Sequence, residues 1–531
     1  MTVDRRTVLG AMAAAAMTGT NRASLAAGPV TPREPGVSDL QAAMDRGALT
    51  AVQLVRRHLA RIEQLDRNGP RLRAVLEVNP DATKIATALD TERRAKGPRS
   101  PLHGIPVLVK DNLATGDRMS TSAGSLALAH TKAARDASAV ARLREAGAVV
   151  LGKTNLSEWA NIRSSHSISG WSARGGLTLN PYALDRNPSG SSSGSAAAVA
   201  AGLAPIAVGT ETDGSIVSPS SICGLVGIKP TVGLVSRHGV VPISHTQDTP
   251  GPIACSVADA AALLGVLAGI DPLDPATQAA PAAVPDYLKS LDPGALRGAR
   301  LGLVRGAYTG LDAVDALIDA AIEKLKELGA TIVDPVELPD TKKYGDAELD
   351  VLLYELKAGL NRYLPDFAPG ASVQTLADVI AFNERAHERE LRFFSQDLFV
   401  KAQAKGGLDD AAYKDALALC RRLARDEGID KALSEHKIDA LIAPTGGPAW
   451  LTDLVDGDNS VASFSTPAAV AGYPHVTVPA GFVAGLPIGL SFVGGAFTEA
   501  RLIGYAYAFE QATRHRRAPG FAKSAPIRSS T

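Results

Sequence analysis

The stretch 104–111, GIPVLVKD, constrains the fold of this chain more than any other. Residues 105–109 form an unbroken apolar run with β-branched members, which is how a strand covered on both faces reads. A segment of helical character, 136–147 (DASAVARLREAG), comes next, and then a second apolar run, 148–152 (AVVLG). Strand, helix and strand at this spacing predict an α/β fold: a twisted, mixed and largely parallel β-sheet with helices on both faces. The same unit recurs at 301–304, 314–328 and 330–333, and further strands are expected at 205–208, 438–442 and 476–478. Strands drawn from both halves of the chain argue for one intertwined domain. Residues 345–436 read as mostly helical, and 269–298, rich in Pro and Asp, as a surface connection. Near the start, Thr50 and Gln53 have capping-box form, and Val55, Leu59 and Ile62 recur at i, i+4 and i+7, the stripe of a helix docked on a core.

Composition narrows the partners. Fifty-five basic residues balance 55 acidic ones, with no basic stripe, so a nucleic-acid partner is not expected. The cysteines Cys223, Cys255 and Cys420 form no CxxC and no zinc spacing with His. They read as small buried hydrophobes, and no metal is expected.

The first 27 residues read as an export signal. Arg5 and Arg6 precede an apolar run, 8–17, too short for a bilayer, which takes about 20 residues. Small residues follow, with Ser24-Leu25-Ala26 as the cleavage region. The paired arginines point to the twin-arginine route. The expected mature chain begins near Ala27, carries no membrane anchor and works in the periplasm or outside the cell. A Pro-rich lead-in spans 28–37.

Chemistry is expected in 187–202, NPSGSSSGSAAAVAAG, where five serines fall within seven residues. Gly/Ser tracts are usually linkers. This one runs straight into an alanine-rich helix former, so the loop ends at a helix N-terminus, where backbone N–H groups point outward. It lacks the Lys of a phosphate-binding loop. Gly190-Ser191-Ser192-Ser193-Gly194 satisfies G-x-S-x-G, with Ser192 as nucleophile and His475 or His515 as candidate base. The preceding 184–188, LDRNP, is a poor strand for such an elbow. An S-x-x-K at Ser434–Lys437 has no accompanying motif. A second loop, 209–216 (GTETDGSI), follows the apolar run 205–208. Turn residues after a strand, with Gly directly before Ser, offer a hydroxyl among exposed backbone N–H groups, which is how an oxyanion hole is built.

A lysine at a strand end, a Gly/Ser loop, and a Gly-Ser loop 24 residues past Ser191 together resemble the amidase signature family. HGIPVLVKDN, CGLVGIKPTVGLVSRHGVVP, QDTPGPIACSVADAAALLGVLAG and LIAPT carry the same resemblance. It covers about 38–515 and implies a single amidase signature domain over 38–520, with its catalytic core at about 100–270 and a helical substrate-pocket region at about 345–436. It implies a Ser–Ser–Lys triad: Ser215 as the acyl-forming nucleophile, Ser191 as the bridging serine after a cis peptide bond, and Lys110 as the base. The oxyanion donors are then the N–H groups of Thr212, Asp213, Gly214 and Ser215, with Ser192 and Ser193 supporting the loop and no cofactor needed. Many relatives read T-D-x-G-G-S-I-R here, whereas this chain has Asp213 in place of a glycine and Val217 in place of an arginine. Any mechanism needing that arginine is in doubt. GTETDGSIV and WLTDLVDGDN (450–459) resemble bacterial peptide amidases, which remove C-terminal amides. The expected substrate is therefore a peptide or small-molecule amide. Aryl or alkyl amides and carbamates are the alternative, and the tRNA-linked glutaminase of the family is the rival that the export signal disfavours.

Overall fold

The computed structural model describes residues 34–526. The segment read from the sequence as an export signal, and most of the lead-in after it, lie outside the described residues. Thirteen strands occur among the described residues: β1 (Val75–Val78), β2 (Pro106–Lys110), β3 (Val149–Thr154), β4 (Trp171–Ser172), β5 (Gly176–Leu177), β6 (Ile206–Glu211), β7 (Val226–Lys229), β8 (Thr249–Ala254), β9 (Arg300–Leu303), β10 (Thr331–Val333), β11 (Ala440–Pro444), β12 (His475–Val483) and β13 (Leu486–Val493). β4 and β5 pair alone, and the rest form one eleven-stranded sheet in the order β1-β3-β2-β6-β8-β7-β12-β13-β11-β9-β10.

Each strand–helix–strand unit expected from the sequence delivers a parallel pair. β2 runs parallel to β3 and β6, and β9 runs parallel to β10 and β11. Between these blocks the pairings are antiparallel; β12 and β13 form a hairpin, while β6–β8, β7–β12 and β11–β13 join strands that are not consecutive in the chain. The mixed sheet thus joins strands from both halves of the chain.

The alternation of β2 explains its unbroken apolar sequence. Val107 and Val109 face one core with Val150, Ile206 and Val208. Leu108 faces the other with Val149, Leu151 and Ala207. With both faces covered, each such side chain contributes about 1.5–3 kcal/mol of burial. The helix Ser193–Ala200 is buried along its whole length, so its small residues let it lie against β6 and β3. The Thr50–Gln53 capping box closes the helix Ala51–Arg61 with reciprocal bonds of 3.1 and 2.9 Å. The helical region holds Gly345–Phe367, Leu376–Arg385, Asp397–Ala404 and Ala411–Arg421. A buried knot ties it to the sheet side: Arg163 Nη1 lies 2.7 Å from Glu158 Oε1 and 3.6 Å from Glu390 Oε2. Among the described residues no helix is long and apolar enough to cross a membrane.

Candidate active site

β2 and β6 are parallel neighbours, so their C-terminal ends emerge side by side, where open α/β sheets place ligands. Lys110 ends β2 and is fully buried. Its Nζ donates to Ser191 Oγ (2.8 Å), Thr210 Oγ1 (2.9 Å) and Thr210 O (3.1 Å). Asn112 Nδ2 donates to the same Thr210 hydroxyl at 2.9 Å. Burial lowers the Lys110 pKa to about 7, opposed in part by the Asp248 and Glu211 carboxylates. The sequence alone places Lys110 at a strand end. The carboxylates that keep its pKa from falling further come from elsewhere in the fold.

The serine loop is bent by its backbone. Ser189 has φ +61°, and the Gly190–Ser191 peptide bond is cis, as the family resemblance implies. A Cβ on Gly190 would come within 2.2 Å of Ser157 Oγ, so only glycine fits there. Ser192 is bound to the β6 backbone and not to Lys110: its hydroxyl donates to Thr210 O (3.1 Å), the carbonyl that Lys110 also bonds, and accepts from Thr210 N (3.2 Å). Ser193 Oγ donates to Ser189 O at 2.6 Å. Both hydroxyls are therefore engaged in holding loops. His475 is no partner for Ser192. It is buried on β12, its Nε2 shares a 2.6 Å bond with Ser491 Oγ, and burial lowers its pKa to about 3. His515 packs against the Phe509 ring.

The second loop abuts the first. Ser192 N donates to Ser215 O at 3.2 Å. Gly214 supplies φ +76°, where a side chain would be strained. The Glu211 carboxylate accepts from Ile216 N (2.7 Å) and Val217 N (3.0 Å), and Asp248 Oδ1 accepts from Thr212 Oγ1 (2.6 Å). Gln247 Nε2 donates to Thr212 O (3.3 Å) and to Glu348 Oε1 (2.9 Å), so the helical region reaches the loop as well. With the loop held by its side chains and carbonyls, the N–H groups of Thr212, Asp213, Gly214 and Ser215 donate to no acceptor among the described residues. Ser215 is 7% exposed while Lys110 and Ser191 are sealed. Lys110 and Ser191 thus meet and the loop carrying Ser215 abuts theirs; Thr210 bonds Lys110 directly, and the Glu211 and Asp248 carboxylates act on its charge. The only sequence signals for those three are their places in GTETDGSIV and QDTPGP, which give no contact.

A cavity of about 280 Å³ opens beside the loops. Gly190 and Gly214, the residues directly before Ser191 and Ser215, form part of its wall with Asp213, Trp450, Asp458 and Val461. The helical region faces a different cavity of about 690 Å³, which Asp248 also lines.

Comparison with known proteins gives the family. The amidase family model matches residues 53–503. A probable amidase of Arabidopsis thaliana is 44% identical over 499 residues, covering 92% of each chain. Among solved structures, native peptide amidase from Stenotrophomonas maltophilia is 55% identical with a TM-score of 0.88, covering 92% of this chain and 99% of its own. An amidase family protein from Bacillus anthracis is 37% identical with a TM-score of 0.83, covering 92% of each chain. A lysine and two serine loops meeting at the ends of parallel strands, inside a match that spans most of the sequence, place this chain in the amidase signature family as a serine-dependent amide hydrolase.

Proposed function

We propose that the protein removes the C-terminal amide of peptides through an acyl-enzyme, with Ser215 as nucleophile, Ser191 as proton bridge and Lys110 as base. The observation that carries the roles is the 2.8 Å bond between a fully buried Lys110 and Ser191. At its free pKa of about 10.4, a lysine is neutral in roughly one molecule in 2,500 at pH 7. At about 7, half of the molecules hold Lys110 as a base. Lys110 takes the Ser191 proton as Ser191 takes that of Ser215. The Ser215 Oγ–carbon bond forms, and the tetrahedral oxygen rests on the unbonded N–H groups of Thr212 to Ser215. The C–N bond then breaks, and ammonia leaves with the proton returned along the same chain. Water attacks the ester, loses its proton to the same relay, and frees the acid and Ser215.

The substrate class rests on the 55% identity to peptide amidase and on the cavity open beside both serines. Purified enzyme and its Ser215→Ala variant, given a peptide amide, an anilide, a carbamate and glutamine, test it by released ammonia or amine. The expected result is ammonia from the peptide amide, lost in the variant. Turnover of the anilide or carbamate alone overturns the substrate, and activity surviving in Ser215→Ala overturns the nucleophile. The same reading places the enzyme outside the cytoplasm, on the Arg5-Arg6 signal layout. N-terminal sequencing of exported protein should begin near Ala27, and an intact Met1 or Thr2 terminus on it would sink that part.

A further inference from the structure

Asp213 stands where the family resemblance expects glycine, directly in the cavity wall between the oxyanion loop and the 445–466 segment. Its Oδ2 is fixed by the Thr466 hydroxyl at 2.7 Å. Its Oδ1 is buried and has no hydrogen-bond partner among the described residues. The Ser465 hydroxyl lies beside the same carboxylate and favours its charged form, yet no bond of hydrogen-bond length reaches Oδ1; the Ser465 hydroxyl shares a 2.9 Å bond with Ser463 Oγ. Burial raises the Asp213 carboxyl, opposed by the Ser465 and Thr466 hydroxyls and the Lys229 ammonium, while burial and Asp213 push Glu348 up to about 8. The other acid of the cavity, Asp458, is already occupied: it accepts from Ser169 N (3.1 Å) and Trp450 Nε1 (3.3 Å). None of the described residues lining the cavity is Lys, Arg or His. A buried carboxylate oxygen left unpaired is costly, and such a site rejects ligands that cannot supply the missing donor.

We propose that Asp213 is a specificity-determining residue: its free oxygen accepts a hydrogen bond from the nitrogen on the α-carbon of the substrate. The favoured substrates are then α-amino-acid and peptide amides, and simple acyl amides of the same size are poor. Trp450 and the exposed Val461 line the same cavity and can cover the apolar side chain of such a substrate. This inference rests on the amide-hydrolase roles proposed above and sharpens their substrate.

The test uses three amides that share a side chain: N-acetylphenylalaninamide with a neutral N–H, phenylalaninamide with an ammonium, and 3-phenylpropanamide with no donor. Ammonia release gives kcat/KM for each. Native enzyme should prefer at least one donor-bearing amide over 3-phenylpropanamide by about tenfold or more. In Asp213→Gly that ratio should fall to near one, whatever happens to the absolute rates. Asp213→Asn keeps the shape and an accepting oxygen but no charge, so it should keep the N-acetyl preference and lose any preference for the ammonium. A native ratio near one, or a ratio unchanged in Asp213→Gly, overturns the role of Asp213 while leaving the amidase reading intact. If none of the three amides is hydrolysed but an anilide or carbamate is, the proposed substrate class falls, and this inference with it.

Discussion

Two lysines occupy neighbouring strand ends, and they differ in everything except burial. Lys110 closes β2, and Lys153 lies beside it on β3, in register with Val109. Both are fully buried, and burial lowers both, to about 7 and about 8. Their partners separate them. Lys153 donates to Leu113 O and Thr121 Oγ1 and keeps Asp111 Oδ1 at 4.0 Å, where its charge offsets a buried carboxylate. Lys110 donates only to two hydroxyls and a carbonyl. The carboxylates it feels, Asp248 and Glu211, are held by other donors: Thr212, Ile243 and Ser244 for the first, Ile216 and Val217 for the second. Lys110 can therefore lose its proton without orphaning an anion. A depressed pKa does not make a base; the identity of the acceptors does.

The largest effect that tests this contrast is the loss of Lys110. Lys110→Met should lower the rate of ammonia release by about 10⁴-fold or more. Lys110→Arg should be nearly as poor, because a guanidinium keeps its proton. If either variant retained a tenth of the native rate, the contrast would collapse.

Lys153→Met should do the opposite. Its kcat should stay within about threefold of native, because no group of the site touches Lys153. Its stability should fall by about 1–3 kcal/mol in denaturant unfolding, since Leu113 O and Thr121 Oγ1 lose their donor. Arg174, 3.0 Å from Asp111, limits the damage.

The pH profile gives a finer distinction. Neutral Lys110 is the active form, so kcat/KM should rise with pH through about 7 and flatten above it. That acid limb should be unmoved in Lys153→Met. Asp248 favours charged Lys110, so Asp248→Asn should move the limb to lower pH, by roughly half to one unit. A limb that moves upward would contradict the sign. The smallest effect is expected from Ser192→Ala. It removes the partner of Thr210 N and leaves Thr210 O to Lys110 alone, costs about 1–3 kcal/mol of stability, and leaves activity within about tenfold. Complete inactivation without unfolding would revive Ser192 as the nucleophile.

Much of the site was legible because its motifs are local. A strand ending in Lys110, a Gly/Ser loop entering a helix and a Gly-Ser turn after a strand are each read from a dozen residues. The competing G-x-S-x-G reading was also local, and it fails only in three dimensions. Ser192 is spent on Thr210, and His475 is spent on Ser491. Glu211, Asp248 and the wall at 445–466 were not legible as neighbours of Lys110, because no periodicity encodes a contact between segments up to hundreds of residues apart.

By itself the sequence determined the strands, the order of the two serine loops and the residues that could exchange a proton. Unbroken β-branched runs need two covered faces, and glycines beside serines permit turns that other residues cannot make. The tertiary structure decided which strands run antiparallel at the sheet centre, which serine hydroxyl meets Lys110, and which acids surround it. Those outcomes depend on desolvation and hydrogen-bond geometry, which exist only once the chain has closed on itself.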